Sequence, residues 1–145
     1  MTDISTVIPV VAAALIDEQG RVCRQQRRLT AMHGGLWEFP GGKVEQLESP
    51  ESALFREIEE ELGVRLDSRA LVCTAFASDP ALPPMPRAPH VILLYTCRRW
   101  QGEVRCLDGE QIAWVWPAEL ANLAMPPLDY PLARRLVELL GAGAI

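Results

Sequence analysis

The sequence predicts a fold of the α/β or α+β class, in which a mixed β-sheet lies between helices. Apolar segments with the length of strands occur on both sides of one amphipathic segment with helical periodicity. A second amphipathic segment lies near the end of the chain, and this arrangement favours a layered sandwich. The 145 residues suit one hydrophobic core, so we expect a single domain over residues 1–145.

The first part of the chain is expected to consist of strands separated by turn residues. A buried strand explains the apolar run near the start, and the turn after it ends in glycine, which predicts a hairpin with the next strand. The predicted elements are a strand over Val7–Ile16, a turn at Asp17–Gly20, a strand over Arg21–Arg27, a loop over Leu29–Gly35, and an extended piece Trp37–Phe39 closed by Pro40–Gly42.

A central helix is predicted from Pro50 to about Leu62. Ser49 is a favourable N-cap, Pro50 suits the first helical position, and Gly63 is a natural C-terminal stop. The later predicted elements are a strand over Ala70–Ser78, a proline-rich loop over Asp79–Pro89, strands over His90–Trp100 and Gln111–Trp116, a helical turn at Pro117–Leu123, and an amphipathic helix over Tyr130–Leu140.

Charge and composition exclude several classes of protein. The net charge of −5 argues against a protein that coats a nucleic-acid polymer, which needs a basic surface. The longest apolar run, Val7–Ile16, is too short to span a bilayer, and the first residues lack the basic start of a signal peptide. We therefore expect a cytoplasmic protein without a membrane partner. The four cysteines show no zinc spacing and are expected to be reduced.

The predicted central helix carries an unusual acidic face. At 100° per residue, Glu57, Glu60 and Glu61 fall within an arc of about 100°. An apolar stripe lies beside this arc and consists of Leu54, Phe55, Ile58 and Leu62. Like charges at these spacings repel by about 0.2–0.5 kcal/mol each, and the helix dipole disfavours them in the second half of a helix. A hard divalent cation removes this penalty, so the face predicts a site for Mg²⁺, with Mn²⁺ as an alternative.

The spacing around this face is specific. The segment Gly42–Val64 fits the pattern G-x5-E-x7-R-E-U-x-E-E-x-G-U, with U aliphatic, at every fixed position. A chance match has a probability on the order of 10⁻⁸ per starting position. The segment resembles the signature of the Nudix hydrolase family. The resemblance to MutT-type members extends over roughly residues 5–140 and includes Trp37–Glu45, Asp108–Glu119 and Pro126–Pro131. It implies the Nudix fold, a mixed β-sheet sandwiched between helices, with the signature as a loop-helix-loop.

The resemblance also implies roles for the residues of the signature. The metal ligands would be Glu57, Glu60, Glu61 and the carbonyl of Gly41. Arg56 and Glu48 would form an internal pair that holds the loop against the helix, with Arg56 counted beside Glu57 and Glu60 in the catalytic machinery. Gly42, Glu48 and Gly63 would be structural residues of the motif.

A further acid is expected as a general base or extra ligand. Asp108 stands at the position where the family usually has glutamate, and its side chain is one methylene shorter. Glu110 lies two residues later and is the alternative. Neither residue is excluded by the sequence.

The sequence indicates the residues that contact the substrate less specifically than it indicates the metal ligands. Arg27 and Lys43 are candidate phosphate clamps, although Arg24, Arg27 and Arg28 can equally be exposed strand residues. Phe39 and Trp37 can flank a base, or they can pack in the core.

The expected reaction is water attack on the β-phosphorus of a nucleoside triphosphate, which gives a nucleoside monophosphate and pyrophosphate. The leading substrate is 8-oxo-dGTP, which implies cleaning of the nucleotide pool, and the alternative is CTP or dCTP. The resemblance implies that Asp129 reads the base, because the matching position in the enzyme that removes 8-oxo-dGTP carries asparagine. An ionised aspartate only accepts hydrogen bonds, which suits the amino group of cytosine or the N1–H and amino group of a guanine. Asp129 can also cap the last helix. ADP-ribose, hinted at by Pro80, and a non-catalytic binding module remain further alternatives. A small nucleotide is the expected partner of a monomer or homodimer.

Overall fold

The computed structural model describes residues 6–80 and 88–145, and in these ranges sheets lie between two α-helices. The strands are β1 (Ile8–Leu15), β2 (Val22–Gln26), β3 (Trp37–Glu38), β4 (Gly41–Lys43), β5 (Arg65–Leu66), β6 (Val72–Ser78), β7 (His90–Cys97), β8 (Trp100–Gln101) and β9 (Gln111–Val115). The helices are α1 (Pro50–Leu62) and α2 (Asp129–Gly141), with 3-10 helices at Ser68–Ala70 and Pro117–Asn122.

A mixed sheet of four strands forms the centre of the molecule, in the order β4-β1-β7-β6. β1 pairs with β7 in parallel along its whole length, from Ile8 opposite His90 to Leu15 opposite Cys97. Its other edge pairs with β4 in antiparallel orientation. A second, antiparallel sheet has the order β3-β2-β9, and β5 and β8 form a small separate pair.

β1 is buried on both faces, which explains its uninterrupted apolar sequence. Val11, Ala13 and Leu15 belong to the core on the α1 side. Ala12 and Ala14 belong to the core on the α2 side. Alternate side chains of a strand point to opposite faces of the sheet, so a sheet covered by a helix on each face needs apolar residues at every position. The predicted sandwich is confirmed.

The predicted hairpin between the first two strands is wrong beyond its turn. One bridge, between Ile16 and Val22, closes the turn, and β2 then pairs with β3 and β9 in the other sheet. The reason is that both edges of β1 are already occupied, by β4 and β7. No hydrogen-bonding edge is left for β2.

The segment Trp37–Lys43 crosses from one sheet to the other. Trp37–Glu38 pairs with β2, whereas Gly41–Lys43 pairs with β1. From the sequence, only Trp37–Phe39 was predicted to be extended, and Pro40–Gly42 was predicted to close this extended piece. The glycines instead form a strand because β1 offers an open edge at this position.

Two other strand boundaries differ from the prediction. The strand predicted over His90–Trp100 ends at Cys97, where its partner β1 also ends, and Trp100–Gln101 pairs instead with β5. The strand predicted from Ala70 begins at Val72, because Ser68–Ala70 forms a 3-10 helix capped by the side chain of Asp67. The middle of the predicted loop Asp79–Pro89 lies outside the described residues.

The predicted ends of α1 are confirmed. The Ser49 hydroxyl accepts from the backbone N–H of Ser52 at 3.2 Å. Gly63 adopts a left-handed conformation with φ of 74°, and its N–H donates to the carbonyl of Glu59 at 3.0 Å. The helical turn at Pro117–Asn122 and the last helix also lie where they were predicted.

The four cysteines are free in the structure, with Cys23 and Cys97 buried. Within residues 6–80 and 88–145, the helices are too short or too polar to cross a bilayer.

Substitution of Gly63 tests how much the end of α1 depends on glycine. Gly63→Ala is expected to lower the free energy of unfolding by about 1–2 kcal/mol, because a left-handed backbone is unfavourable for residues with a Cβ. The new Cβ would also lie 3.1 Å from Nη2 of Arg105. Denaturant unfolding measures the change.

The matched control is Gly141→Ala, at the exposed end of α2, where an added Cβ meets nothing within 4 Å. This variant is expected to be as stable as the original protein or slightly more stable. Equal stability of the two variants would contradict the assigned role of Gly63.

Candidate active site

Two glycines of β4 lie between β1 and the acidic face of α1. A Cβ on Gly41 would collide with the carbonyl oxygen of Val11 in β1. A Cβ on Gly42 would collide with the carboxylate of Glu57 in α1. Glycine at both positions therefore lets β4 approach a strand on one side and a helical carboxylate on the other.

The ladder between β1 and β4 fixes the direction of the Gly41 peptide groups. Ala13 N–H donates to Pro40 O, and Val44 N–H donates to Pro9 O, each at 2.9 Å. Hydrogen-bonded pairs alternate along an antiparallel ladder, so Gly42 bonds to β1 while the backbone groups of Gly41 point away from it. The Gly41 N–H lies near the carboxylate of Glu61 and acts to lower the pKa of Glu61. The predicted ligand position of Gly41 is thus beside the acidic face of α1.

Arg56 holds the loop before α1 against the helix. Its Nε and Nη2 donate to the two carboxylate oxygens of Glu48 at 2.8 and 2.9 Å. Its Nη2 also donates to the carbonyl of Lys43 at 3.2 Å. The structure therefore contains the internal pair that the resemblance implied, in the bidentate form that favours arginine over lysine. These bonds hold the pKa of Glu48 at about 2.

The same guanidinium also reaches the acidic face. Nη1 of Arg56 lies 2.8 Å from Oε1 of Glu57 and 3.6 Å from Oε2 of Glu60. Glu57 is mostly buried, whereas Glu60 is exposed. In the absence of other cations, Arg56 offsets part of the repulsion that the sequence predicted between these carboxylates.

Glu61 is the buried member of the acidic face. It is 8% exposed, and its Oε2 has no hydrogen-bond partner among the described residues. Burial raises the pKa of Glu61 to about 9, and the charges of Glu38, Glu57 and Asp108 act in the same direction. A buried carboxylate oxygen without a donor is a costly arrangement that a cation would relieve.

The donor set around Glu61 fits a divalent ion. Clustered carboxylate oxygens are the ligands that Mg²⁺ and Mn²⁺ prefer. The Oε2 of Glu61 has no partner among the described residues, and three neighbouring carboxylates act on Glu61. In the described part of the chain, no three acidic, histidine or cysteine side chains converge tightly enough to enclose an ion as they stand. Glu57 is engaged by Arg56, so ion binding needs a change in the side-chain torsions of these carboxylates.

The two candidates for the additional acid occupy different places. The loop that carries Asp108 is bound to the end of α1, because Leu107 N–H donates to the carbonyl of Glu61 at 2.9 Å. The charge of Asp108 acts on Glu61, and its carboxylate pairs with Arg28 at 2.8 Å. Glu110 instead accepts from the N–H of Leu29 at 3.0 Å. Asp108 is among the residues whose charge raises the pKa of Glu61.

The two candidate phosphate-binding cations, Arg27 and Lys43, differ in the number of interactions that they already form within the protein. Arg27 is held by Glu38 at 2.6 Å and donates to the carbonyl of Met32 at 2.8 Å. Lys43 is exposed, and its side chain forms no ion pair with any described residue. Both roles stay predictions, with Lys43 the freer of the two cations.

Asp129 is buried at the start of α2 and does not cap it. The helix begins after Leu128, without a side-chain capping bond, and Asp129 is 5% exposed. Its Oδ2 accepts from Nη2 of Arg24 at 3.2 Å and from the backbone N–H of Phe39 at 2.9 Å. Burial raises the pKa of Asp129, and the positive charge of Arg24 is the main opposing influence.

Arg24 is fully buried, so the interpretation of this residue as an exposed strand residue is wrong. Its guanidinium lies over the ring of Phe39, 3.8 Å from the centroid, and Nη2 also donates to Trp37 O at 2.9 Å. Its Nε and Nη1 have no partner among the described residues, which costs about 1–3 kcal/mol for each buried group. The Phe39 ring is buried in the core on the α2 side.

Arg24 and Glu38 are the charged groups that the sequence reasoning missed. The available signal for Arg24 was its position in β2, since alternation places it on the same face as the apolar Val22. Glu38 lay inside the Trp37–Glu45 resemblance but was given no role. In the structure it anchors Arg27 and contributes to the negative charge around Glu61.

Comparison with known proteins extends over most of the chain. The NUDIX domain matches residues 6–139. The CTP pyrophosphohydrolase of Escherichia coli (strain K12) is 32% identical over 134 residues, which cover 91% of this chain and 93% of that protein. The 8-oxo-dGTP diphosphatase of Haemophilus influenzae is 31% identical over 131 residues, which cover 90% and 92%.

Solved structures share the same architecture. The solution structure of the E. coli ORF135 protein aligns with a TM-score of 0.81 at 29% identity and covers 95% of this chain and 94% of that one. A MutT structure from work on the Aliivibrio salmonicida and Vibrio cholerae proteins aligns with a TM-score of 0.76 at 27% identity, covering 92% and 98%. The arrangement of sheets and helices is therefore common to these proteins and this chain.

The pair between Glu48 and Arg56 predicts a particular dependence of stability on pH. The pKa of Glu48, about 2 when folded, lies below its ordinary value of 4.5. Its contribution to the free energy of unfolding is therefore complete above about pH 4.5 and is lost as the pH falls toward 2. Glu48→Gln is expected to be less stable at neutral pH, with a deficit that shrinks over this interval.

Denaturant unfolding at several pH values measures this deficit. The control is Glu103→Gln, because Glu103 is exposed and forms no ion pair with a described residue. Its stability curve is expected to follow that of the original protein. A Glu48→Gln deficit that stays constant from pH 6 to pH 3 would contradict the assigned pair.

Proposed function

Because the chain belongs to the Nudix family, we propose that it hydrolyses a nucleoside triphosphate to a nucleoside monophosphate and pyrophosphate. The observation that carries the proposal is the acidic face of α1, where the buried Oε2 of Glu61 has no donor and β4 lies alongside. The relatives named for CTP and for 8-oxo-dGTP both match more than nine-tenths of their own length, which supports a triphosphate as the substrate.

The residues that would hold a divalent ion are Glu57, Glu60, Glu61 and the carbonyl of Gly41. Mg²⁺, or Mn²⁺ in its place, neutralises phosphate charge when bound and lowers the pKa of a coordinated water. The chain itself contributes the rigid frame: Arg56 binds Glu48 and the Lys43 carbonyl, so the loop keeps its position against α1. Such fixed positioning is the main contribution that a protein makes to phosphoryl chemistry.

The chemical step is the attack of water on the β-phosphorus, with the nucleoside monophosphate as the leaving group. An acid near the glutamates is needed to accept the proton of that water. Asp108 is favoured over Glu110, because its loop is bonded to the end of α1 and its charge acts on Glu61. Lys43, exposed and without an ion-pair partner in the described residues, is well suited to bind a phosphate of the substrate.

The base is the less determined part of the substrate. An 8-oxo-dGTP substrate, and with it a role in cleaning the nucleotide pool, is the first candidate from the sequence. CTP or dCTP is the second, and a specific contact favours it. One oxygen of Asp129 is already occupied by Arg24 and Phe39, so one oxygen is left to accept from the amino group of cytosine.

A hydrolysis screen tests the proposed reaction. With Mg²⁺ present, pyrophosphate release is expected from at least one triphosphate among normal and oxidised nucleotides, and it should stop when the ion is removed by chelation. Phosphate analysis identifies the bond that is cleaved. A chain that binds these nucleotides but turns over none of them, nor ADP-ribose or nucleotide sugars, would be a binding module and not an enzyme.

Glu60→Gln tests the acidic face. The substitution is expected to lower kcat by several orders of magnitude while the thermal unfolding midpoint stays close to that of the original protein, because Glu60 is exposed. Glu59→Gln is the control: Glu59 is also an exposed glutamate of α1, but it pairs with Arg65 on another side of the helix. Comparable turnover in the two variants would remove Glu60 from the site.

A further inference from the structure

Arg24 and Asp129 form the least exposed ion pair among the described residues. The side chain of Arg24 is 0% exposed and that of Asp129 is 8% exposed. Neither residue takes part in the hydrolysis proposed above. A buried pair of this kind adds little net stability compared with apolar side chains of similar size, so a role in specificity is worth testing.

The contacts leave Asp129 with one open acceptor. Both of its hydrogen bonds, from Arg24 and from the Phe39 N–H, go to Oδ2. Its Oδ1 accepts no hydrogen bond from any described residue. The carboxylate therefore presents one oxygen to a ligand, whereas an unpaired aspartate would present two.

Arg24 is itself held in place and cannot follow a change in Asp129. The same Nη2 donates to Trp37 O, and the guanidinium plane lies over the Phe39 ring. Trp37 and Phe39 belong to the segment that crosses between the two sheets. The orientation of Asp129 is thus determined by β2 and this crossing segment, and not by α2 alone.

We propose that Arg24 determines base preference by fixing Asp129 with a single open acceptor, which selects a base that offers one amino group, as cytosine and adenine do, over guanine and uracil. Of the bases that fit, cytosine is the one we assign, because a relative that matches most of this chain is named for CTP. The proposal rests on the proposed triphosphate hydrolysis. Guanine, normal or oxidised at C8, offers two adjacent donors and suits a carboxylate with both oxygens open. Uracil offers a carbonyl oxygen where cytosine has its amino group, and that oxygen would face the open oxygen of Asp129.

Arg24 acts only through Asp129 and not on the base itself. Its side chain is fully buried, and its Nε and Nη1, unpartnered among the described residues, are enclosed. The group that meets the base is therefore the open oxygen of Asp129, which Arg24 holds in position.

The test compares kcat/KM for dCTP, dUTP and 8-oxo-dGTP, because dCTP and dUTP have nearly the same size and differ at position 4 and in the proton on N3. The original protein is expected to prefer dCTP to both of the others. Arg24→Met is expected to lower the ratio of dCTP to dUTP by about tenfold or more, since hydrogen bonds to charged groups contribute on that order. Activity on dUTP is expected to change far less than activity on dCTP.

The pH dependence of the preference for dCTP distinguishes a role of Arg24 in positioning Asp129 from a general loss of structure in the variant. Without the charge of Arg24, the pKa of Asp129 is expected to rise, so the lost preference for dCTP should recover as the pH increases. The other charged groups that act on Asp129 are Arg27 and Glu38. Arg21→Met is the matched control, because Arg21 pairs with Asp17 in the turn before β2. It is expected to leave the ratio unchanged.

Two further variants keep the proposal testable if Arg24→Met fails to fold. Arg24→Lys keeps the charge but not the planar guanidinium that lies over the Phe39 ring, and is expected to give an intermediate ratio. Asp129→Asn, which can donate as well as accept, is expected to shift preference toward 8-oxo-dGTP relative to dCTP. An unchanged ratio in the folded Arg24 variants, or a preference of the original protein for 8-oxo-dGTP or dUTP, would overturn the assignment to Arg24.

Failure of the proposed hydrolysis can be told apart from failure of the role assigned to Arg24. If the original protein hydrolyses no triphosphate, the proposed function fails. The carboxyl resonance of Asp129, followed by ¹³C NMR through a pH titration, still reports on the pair without turnover. A titration midpoint of Asp129 that is the same in the original protein and in Arg24→Met would overturn the positioning role independently of activity.

Discussion

The close approach of β4 to both β1 and α1 is the constraint on which the site depends. Gly41 lies against the backbone of Val11, and Gly42 lies against the carboxylate of Glu57, so neither position has room for a side chain. Because the ladder with β1 uses the backbone groups of Gly42, those of Gly41 face the acidic helix. The site is therefore built where a strand edge of the central sheet meets the carboxylates of α1.

The close packing of β4 against α1 brings several carboxylates together, and Arg56 offsets part of their negative charge. Arg56 binds Glu48 with two hydrogen bonds, reaches Glu57, and fixes the Lys43 carbonyl, so one guanidinium connects the loop to the helix. It does not reach the buried oxygen of Glu61, whose pKa is raised by burial and by its acidic neighbours. The remaining demand for positive charge is the physical basis for a divalent ion at this position.

A second polar cluster lies on the α2 side of the molecule, and it has a different character. Arg24, Asp129 and the Phe39 backbone hold one another inside the core, where no part of the proposed hydrolysis takes place. The segment Trp37–Lys43 connects the two clusters, because it passes from the sheet of β2 to the sheet of β1. The proposed metal-phosphate chemistry and the proposed base selection are thus assigned to two separate clusters, which seven residues of backbone connect.

The sequence by itself determined the layered fold, both ends of α1 and the acidic face, because these follow from local periodicity, capping residues and the fixed spacing of Gly42–Val64. It did not determine which sheet β2 joins, where β7 ends, or that Gly41–Lys43 is a strand. These depend on which edges of β1 and β7 are already occupied, and only the assembled sheets decide that. The burial of Arg24 against Asp129 was hidden for the same reason: the residues are 105 positions apart, and no local pattern relates them.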